Sequence, residues 1–214
     1  MSEVPGLTTF QVDVARMFFA LPASKGFLLA GGAALAAQHL TDRPTQDLDF
    51  FTSPERGNVV AARDEFEEAA AARGWPVRRV RDTSTFCRLV VQGPQDLVVD
   101  LAVDAPPQSP PASSVVGPTF QPEELAGRKV IALFDRAEAR DFTDVRSLAN
   151  HYGKALLLLR AAEVDTGFSI EVFREMLATL SRFADEELPI AADRVAELRE
   201  FFADWARELR SRQD

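Results

Sequence analysis

The segment Gln46–Phe51, with the sequence QDLDFF, constrains the fold of this chain more than any other short stretch. Acidic and apolar residues alternate in it, and successive side chains of a β-strand point to opposite faces of a sheet. A strand here would bury Leu48 and Phe50 in a core. Asp47 and Asp49 would then project from the other face about 7 Å apart, where they repel each other unless a cation lies nearby. An isolated DxD motif is more often a pair of solvated acids, so the surrounding sequence has to decide.

Two glycines, Gly31 and Gly32, precede this strand and separate an apolar run from a stretch of helix-forming residues. The run Phe27–Ala30 is predicted as a buried strand and residues 33–40 as a helix. Glycines let a backbone approach a ligand closely, and a helix start offers amide donors to phosphate, although a plain connecting turn explains them equally well. Because consecutive strands usually lie side by side, we expect a polyphosphate at the glycines and a metal at the acids to share one pocket.

A third acid, Asp100, interrupts the apolar strand predicted for residues 96–103. Burying a carboxylate without a partner is expensive. The partner is either an arginine on a nearby strand, such as Arg79 or Arg88, or a metal shared with the two acids of the QDLDFF segment. Three carboxylates on adjacent strands can hold two Mg²⁺ ions, which activate an attacking hydroxyl and stabilise displacement at phosphorus.

The chain changes character at a segment rich in Pro, Ser and Gly. Residues 1–105 mix strand and helix patterns, residues 106–121 are predicted as a Pro-rich irregular connection, and residues 122–214 are helical almost throughout. The predicted helices are 10–21, 55–73, 122–138, 140–152, 155–164, 169–182 and 189–210, and the further strands are 75–81, 85–92 and 96–103. The pattern predicts an α+β fold, with a mixed sheet and its helices followed by a helical carboxy-terminal region.

Net charge, cysteine content and hydropathy exclude several classes of function. The net charge of −9 argues against nucleic-acid binding by bulk electrostatics, so an RNA substrate would need a local basic patch. The single cysteine, Cys87, excludes an internal disulfide and a Cys-based zinc site, and its apolar strand predicts a buried thiol. Neither a signal peptide nor an apolar segment of membrane-spanning length is recognisable, so we expect a cytoplasmic protein without a membrane partner.

The order of these motifs resembles that of nucleotidyltransferase toxins of the AbiEii/AbiGii abortive-infection family. The resemblance rests on Gly31–Leu35, Arg43 and the DLDFF strand, followed by Lys129–Leu133 and the RDFTDV run that begins at Arg140. It implies a DNA-polymerase-β-like nucleotidyltransferase core and Mg²⁺-dependent transfer of a nucleoside monophosphate from an NTP co-substrate. Relatives act as toxins of toxin–antitoxin pairs, and some modify the 3′ acceptor end of tRNA and so block translation. The partners implied are therefore tRNA and a cognate antitoxin.

The resemblance also implies roles for individual residues. The metal ligands would be Asp47, Asp49 and Asp100; the nucleotide would contact Gly31, Gly32, Ala33, Lys129 and Arg140; and Asp141 would be a further catalytic residue, supported by Asp144. On their own, Lys129 would be a lysine that snorkels from an apolar helix, and Asp141 would stabilise a helix start. The family usually has Ser or Thr where this chain has Ala33, so a hydrogen bond worth about 0.5–1.5 kcal/mol is missing.

Two other functions fit the same motifs. The first is a nucleotidyltransferase that acts on a small molecule such as an antibiotic, because an acidic surface suits a cationic acceptor better than RNA. The second is a degenerate, non-catalytic nucleotide-binding module, which Ala33 favours. The three acids and Lys129 argue against the second, because a binding module has little need of a complete metal site.

Overall fold

A seven-stranded mixed sheet forms the framework of the amino-terminal unit in the computed structural model, which describes residues 4–210. The strands are β1 (Leu28–Ala30), β2 (Asp47–Thr52), β3 (Val77–Asp82), β4 (Phe86–Gln92), β5 (Asp96–Val103), β6 (Ala112–Ser113) and β7 (Pro118–Thr119). Their order across the sheet is β3-β4-β5-β2-β1-β7-β6. The β2–β5 and β1–β7 pairs are parallel, and the other pairs are antiparallel. This unit spans Met1–Pro122, and a second compact unit spans Glu123–Asp214.

Alternation along the central strands gives the sheet one apolar face and one polar face. The helices of this unit are α1 (Thr9–Phe19), α2 (Gly31–Ala37) and α3 (Val59–Ala71). Leu48 and Phe50 are fully buried, and Phe18 of α1 stacks on Phe50 with 4.1 Å between ring centroids. The buried side chains of β4 and β5 continue this core: Cys87, Leu89, Val91, Leu97, Val99 and Leu101. We call the opposite face, from which Asp47, Asp49 and Asp100 project, the acid face.

The start of α3 corrects the prediction that this helix begins near residue 55. Asn58 caps the helix, because its side chain accepts a hydrogen bond from the Ala61 amide at 2.9 Å. Glu55 has φ +70° and therefore lies outside the helical region of backbone space. Asx caps are stronger start signals than a proline alone, which explains why the prediction from Pro54 was wrong by several residues.

The Pro-rich segment 106–121, predicted as an irregular connection, contains two strands of two residues each, β6 and β7. Thr119 of β7 pairs in parallel with Leu29 of β1, and β6 pairs with β7. The compact units divide after Pro122. Strands of only two residues are too short to show a periodic pattern, so the sequence carried no signal for them.

The second unit is helical, as predicted. Its helices are α4 (Pro122–Asp135), α5 (Ala139–Val164), α6 (Ile170–Ala178) and α7 (Val195–Arg210). Gly153 has the non-helical angles φ 74° and ψ 155° and interrupts α5 at the predicted gap between two helices. Phe142, Phe202 and Trp205 are buried in the core of this unit. Within the described residues, no helix combines the length and apolar character that crossing a membrane requires. The α+β class is confirmed.

Candidate active site

Asp47 and Asp49 project together from the acid face, as the alternation predicted. Along β2, half-buried and buried residues alternate without exception from Asp47 to Thr52. The Thr45 hydroxyl donates a hydrogen bond to Asp47 Oδ1 at 2.9 Å. The sequence interpretation missed this residue, although a polar side chain two positions before Asp47 points to the same face if the strand geometry continues.

One row of paired residues crosses the sheet through Asp49. Ala30 of β1 is its partner on one side, and Asp100 of β5 is its partner on the other. Asp100 is in turn paired with Arg88 of β4. Because neighbouring strands lie about 4.8 Å apart, the start of α2 and the three acids lie close together on adjacent strands, as the sequence predicted.

Gly31 lies directly against the carboxylate of Asp49. Its φ is +62°, and a Cβ at this position would be 1.9 Å from Asp49 Oδ2. Both the backbone angle and the contact therefore require glycine. The glycines are the first residues of α2 and do not form a separate turn before it. Gly31 is half-buried and Ala33 has no exposed surface, so the described structure offers a ligand access to Gly31 and not to the Ala33 side chain.

Asp100 forms a bidentate ion pair with Arg88. Arg88 Nε donates to Asp100 Oδ1 at 2.8 Å, and Arg88 Nη2 donates to Asp100 Oδ2 at 2.6 Å. The Asp100 side chain is 9% exposed, whereas that of Arg88 is 49% exposed. The hydrogen bond to Asp100 raises the pKa of Arg88, and the charges of Asp49 and Asp47 add to this effect. Of the two partners considered for Asp100, the structure contains the arginine.

The donor chemistry of the acid face suits Mg²⁺, but its geometry favours an arginine. Carboxylates of Asp47, Asp49 and Asp100 on two paired strands provide the hard oxygen ligands that Mg²⁺ prefers. In the part of the chain that the structure describes, no group of three or more His, Cys, Asp or Glu side chains is arranged to hold a metal ion. A metal could reach both oxygens of Asp100 only after release of Arg88, which binds them and whose side chain is half-exposed. The metal role of the acids stays a prediction that requires this release.

A separate ion cluster holds α4 and α5 together in the helical unit. Lys129 Nζ lies 2.8 Å from Asp144 Oδ2 and 3.8 Å from Asp141 Oδ1, and both aspartates are fully buried. Arg136 binds both oxygens of Asp141 at 2.9 and 3.1 Å, and this hydrogen bonding raises the pKa of Arg136. Arg140 instead donates to Glu138 at the surface.

This cluster gives Lys129 a partner that the sequence interpretation did not foresee. Lys129 is 7% exposed and neither snorkels to the surface nor presents its ammonium to solvent. The structure thus shows a helix-to-helix ion pair for Lys129 and a capping-box position for Asp141, whose carboxylate accepts from the Glu138 amide at 3.3 Å. Nucleotide contacts by Lys129 and Arg140, and a catalytic role for Asp141, stay predictions.

Comparison with known proteins shows the family of this chain and a similar fold in solved structures. The model of the family described as nucleotidyl transferase AbiEii toxin, type IV toxin–antitoxin system, matches residues 14–213. JHP933 from Helicobacter pylori has a similar structure, with a TM-score of 0.57 and 19% identity over 94% of this chain and 92% of that chain. The nucleotidyltransferase toxin MenT4 from Mycobacterium tuberculosis has a TM-score of 0.56 and 18% identity over 94% of this chain and 90% of that one. No curated protein matches the sequence.

Proposed function

Because the chain belongs to the AbiEii nucleotidyltransferase toxin family of type IV toxin–antitoxin systems, we propose that it transfers a nucleoside monophosphate from an NTP to the 3′ acceptor end of tRNA and so blocks translation. The observation that carries this proposal is the row Ala30–Asp49–Asp100, which sets the start of α2 and the acids on adjacent strands of one face. The family description also implies an antitoxin as a partner.

The proposed reaction needs an acceptor hydroxyl and the α-phosphate of the NTP to meet at the acid face. The attacking oxygen of the acceptor hydroxyl forms a bond to the α-phosphorus, and the bond from that phosphorus to its bridging oxygen breaks, so that pyrophosphate leaves with the electron pair. Asp100, once released by Arg88, would take the proton of the attacking hydroxyl on one of its carboxylate oxygens. Thr45 fixes Asp47 through its hydrogen bond, and the contact with Gly31 fixes the position of Asp49.

The residues that would hold Mg²⁺ are Asp47, Asp49 and Asp100. When bound, Mg²⁺ neutralises charge on the phosphates and lowers the pKa of the attacking hydroxyl. Gly31 is the accessible part of the α2 start and would lie beside the triphosphate, where the absence of a side chain lets the ligand approach the backbone.

The experiment is a transfer assay with the full chain, Mg²⁺ and bulk tRNA, repeated with each of the four α-labelled NTPs. We expect label on tRNA 3′ ends with at least one NTP, and loss of that label in Asp49→Asn. No label on tRNA, other RNA or protein with any NTP would refute the proposal.

The same assay separates the two alternatives. Label on an aminoglycoside and not on tRNA would identify the small-molecule enzyme, which the net charge of −9 favours. Nucleotide binding that persists in Asp49→Ala, without transfer by the unmodified chain, would identify the non-catalytic module.

A further inference from the structure

The edge strand β3 contains an irregularity that changes the direction of one arginine. Its register on β4 pairs Arg78 with Val90 and Arg79 with Leu89, and then passes over Val80 to pair Arg81 with Arg88. Paired residues on neighbouring strands point to the same face. Arg78 and Arg81 therefore both lie on the acid face, although they are three positions apart along the chain, an odd spacing that would place them on opposite faces of a regular strand.

Regular alternation would give a different arrangement. Without the extra residue, Val80 would oppose Arg88, and Arg81 would point to the apolar face beside Cys87. The bulge avoids this at the expense of an apolar side chain on the surface, since Val80 is 52% exposed. Bulges of this kind commonly re-aim a side chain next to a functional site.

The charges of β3 are sorted between the two faces. On the apolar face, Arg79 pairs with Glu67 of α3 at 2.7 Å, and Asp82 pairs with Arg63. On the acid face, Arg81 and Arg88 are direct cross-strand partners. Two like charges in such a pair repel each other and destabilise the sheet. We call Arg78, Arg81 and Arg88 the arginine patch.

An aromatic ring lies within the arginine patch. The guanidinium carbon of Arg81 is 5.2 Å and that of Arg88 is 5.8 Å from the centroid of the Phe86 ring. Guanidinium groups bind phosphate through paired hydrogen bonds, and aromatic rings beside them provide stacking surfaces for bases. A basic, aromatic patch on a chain of net charge −9 is therefore suited to a nucleic-acid strand.

We propose that the arginine patch binds the backbone phosphates of a single-stranded RNA end whose terminal hydroxyl reaches the acid face. This inference rests on the proposed function and names where the acceptor of that reaction binds. The arginine patch lies on one side of the acids, and β1 with Gly31 lies on the other. This order follows from the row of paired residues Arg81–Arg88–Asp100–Asp49–Ala30. At about 4.8 Å per strand, Arg88 lies roughly 10 Å and Arg81 roughly 14 Å from the backbone of Asp49. These distances suit the phosphates that immediately precede the acceptor hydroxyl.

Protection of an edge strand from aggregation is the competing explanation, because charged side chains and bulges both serve that purpose. It does not account for Arg88, since β4 is an interior strand. It also predicts self-association, not weaker RNA binding, when the charges of β3 are removed.

The test is fluorescence anisotropy of a short labelled single-stranded RNA with the full chain at several salt concentrations, without NTP. The variant Arg78→Ser/Arg81→Ser leaves the Arg88–Asp100 pair in place. Two lost phosphate contacts should raise the Kd about tenfold at about 0.15 M salt and reduce the salt slope by about 1.4. The matched control Arg56→Ser/Arg73→Ser removes the same charge from exposed positions of the same unit and should change the Kd less than twofold.

Several results would overturn the inference. These are an unchanged Kd in Arg78→Ser/Arg81→Ser, an equal loss in the control, self-association of the variant with normal RNA binding, or stronger competition by an acidic peptide than by RNA. Arg78→Lys/Arg81→Lys keeps the charge and should retain most of the salt slope, which would assign the effect of the serine variant to its lost charge.

Failure of the inference and failure of the proposed function are distinguishable. If the unmodified chain transfers nucleotide to RNA and Arg78→Ser/Arg81→Ser has an unchanged KM for RNA, the arginine patch does not bind RNA but the proposed function is supported. If RNA binding depends on Arg78 and Arg81 but the chain transfers no nucleotide, the RNA-binding role of the patch is supported and the proposed function is wrong. If both hold, the variant should raise the KM for RNA about tenfold, by the loss of two phosphate contacts, with an unchanged KM for NTP.

Discussion

Replacing Gly31 with alanine tests whether the α2 start is shaped around the Asp49 carboxylate. The substitution introduces a side chain where φ is +62°, which costs about 1–2 kcal/mol in the folded state. The new Cβ would also be 1.9 Å from Asp49 Oδ2, whereas ordinary contact begins near 3.4 Å, so the carboxylate must move by about 1.5 Å. Misplacing a reacting group by about 1 Å can reduce catalysis about a hundredfold.

Gly74→Ala is the matched control because it separates backbone strain from displacement of the carboxylate. Gly74 has φ +73°, and beyond its chain neighbours no heavy atom of the described residues lies within 4 Å of its would-be Cβ. Urea unfolding should show a loss of about 1–2 kcal/mol in each variant. The transfer assay should show a loss of at least about a hundredfold in kcat/KM for Gly31→Ala and an unchanged value for Gly74→Ala.

Full transfer activity in Gly31→Ala, together with the expected fall in its unfolding free energy, would contradict this prediction. Asp49 would then not require the position in which Gly31 holds it. Equal loss of activity in both variants would also refute the reasoning, because it would assign the effect to strain alone.

Three further substitutions test the two units. Lys129→Met should lower the unfolding free energy by about 3–5 kcal/mol, because it removes the ammonium that pairs with the buried Asp144, whereas Arg136 still pairs with Asp141. Lys154→Met, which breaks an ion pair with the exposed Glu208, should cost at most about 1 kcal/mol. Loss of transfer with unchanged stability in Lys129→Met would instead favour the nucleotide role. Burial raises the pKa of Cys87 to about 11 from the ordinary 9.0. Between these two pH values the thiol ionises in the unfolded chain but not in the folded one, so the unfolding free energy should fall as pH rises. Urea unfolding of the unmodified chain and of Cys87→Ala, which lacks the thiol, would measure this fall. Asn58→Ala should cost about 1 kcal/mol in the same assay, whereas Pro54→Ala should stay within about 0.5 kcal/mol, since only Asn58 caps α3.

Local patterns predicted the core strand and its acids. The alternation in Asp47–Thr52 fixes which side chains are buried, because a shift by one residue would send Leu48 and Phe50 into water. The break in α5 at Gly153 was predictable for a similar reason, since glycine weakens a helix wherever it occurs. Such features depend only on residues close together in the sequence.

Features that depend on register between distant segments were not predictable from these patterns. The pairing of Asp100 with Arg88 follows from the β4–β5 register, and the sequence left open whether Arg79 or Arg88 would be the arginine partner. The bulge at Val80 follows from the β3–β4 pairing. The burial of Lys129 requires that Asp144 of α5 face α4, which neither helix shows alone.

Arg88 connects the two ends of the row, because its Nε–Nη2 edge, which binds Asp100, can bind either that carboxylate or a backbone phosphate but not both at once. If Mg²⁺ binds Asp100 as proposed, the released guanidinium lies beside Arg81 and completes the arginine patch for RNA. Binding of RNA should therefore strengthen binding of Mg²⁺, and linkage requires the same factor in the reverse direction. Titration calorimetry of Mg²⁺ with and without a short single-stranded RNA would measure this factor. In Arg88→Met the Mg²⁺ affinity should rise and the coupling should vanish; persistence of the coupling in that variant would show that Arg88 does not carry it.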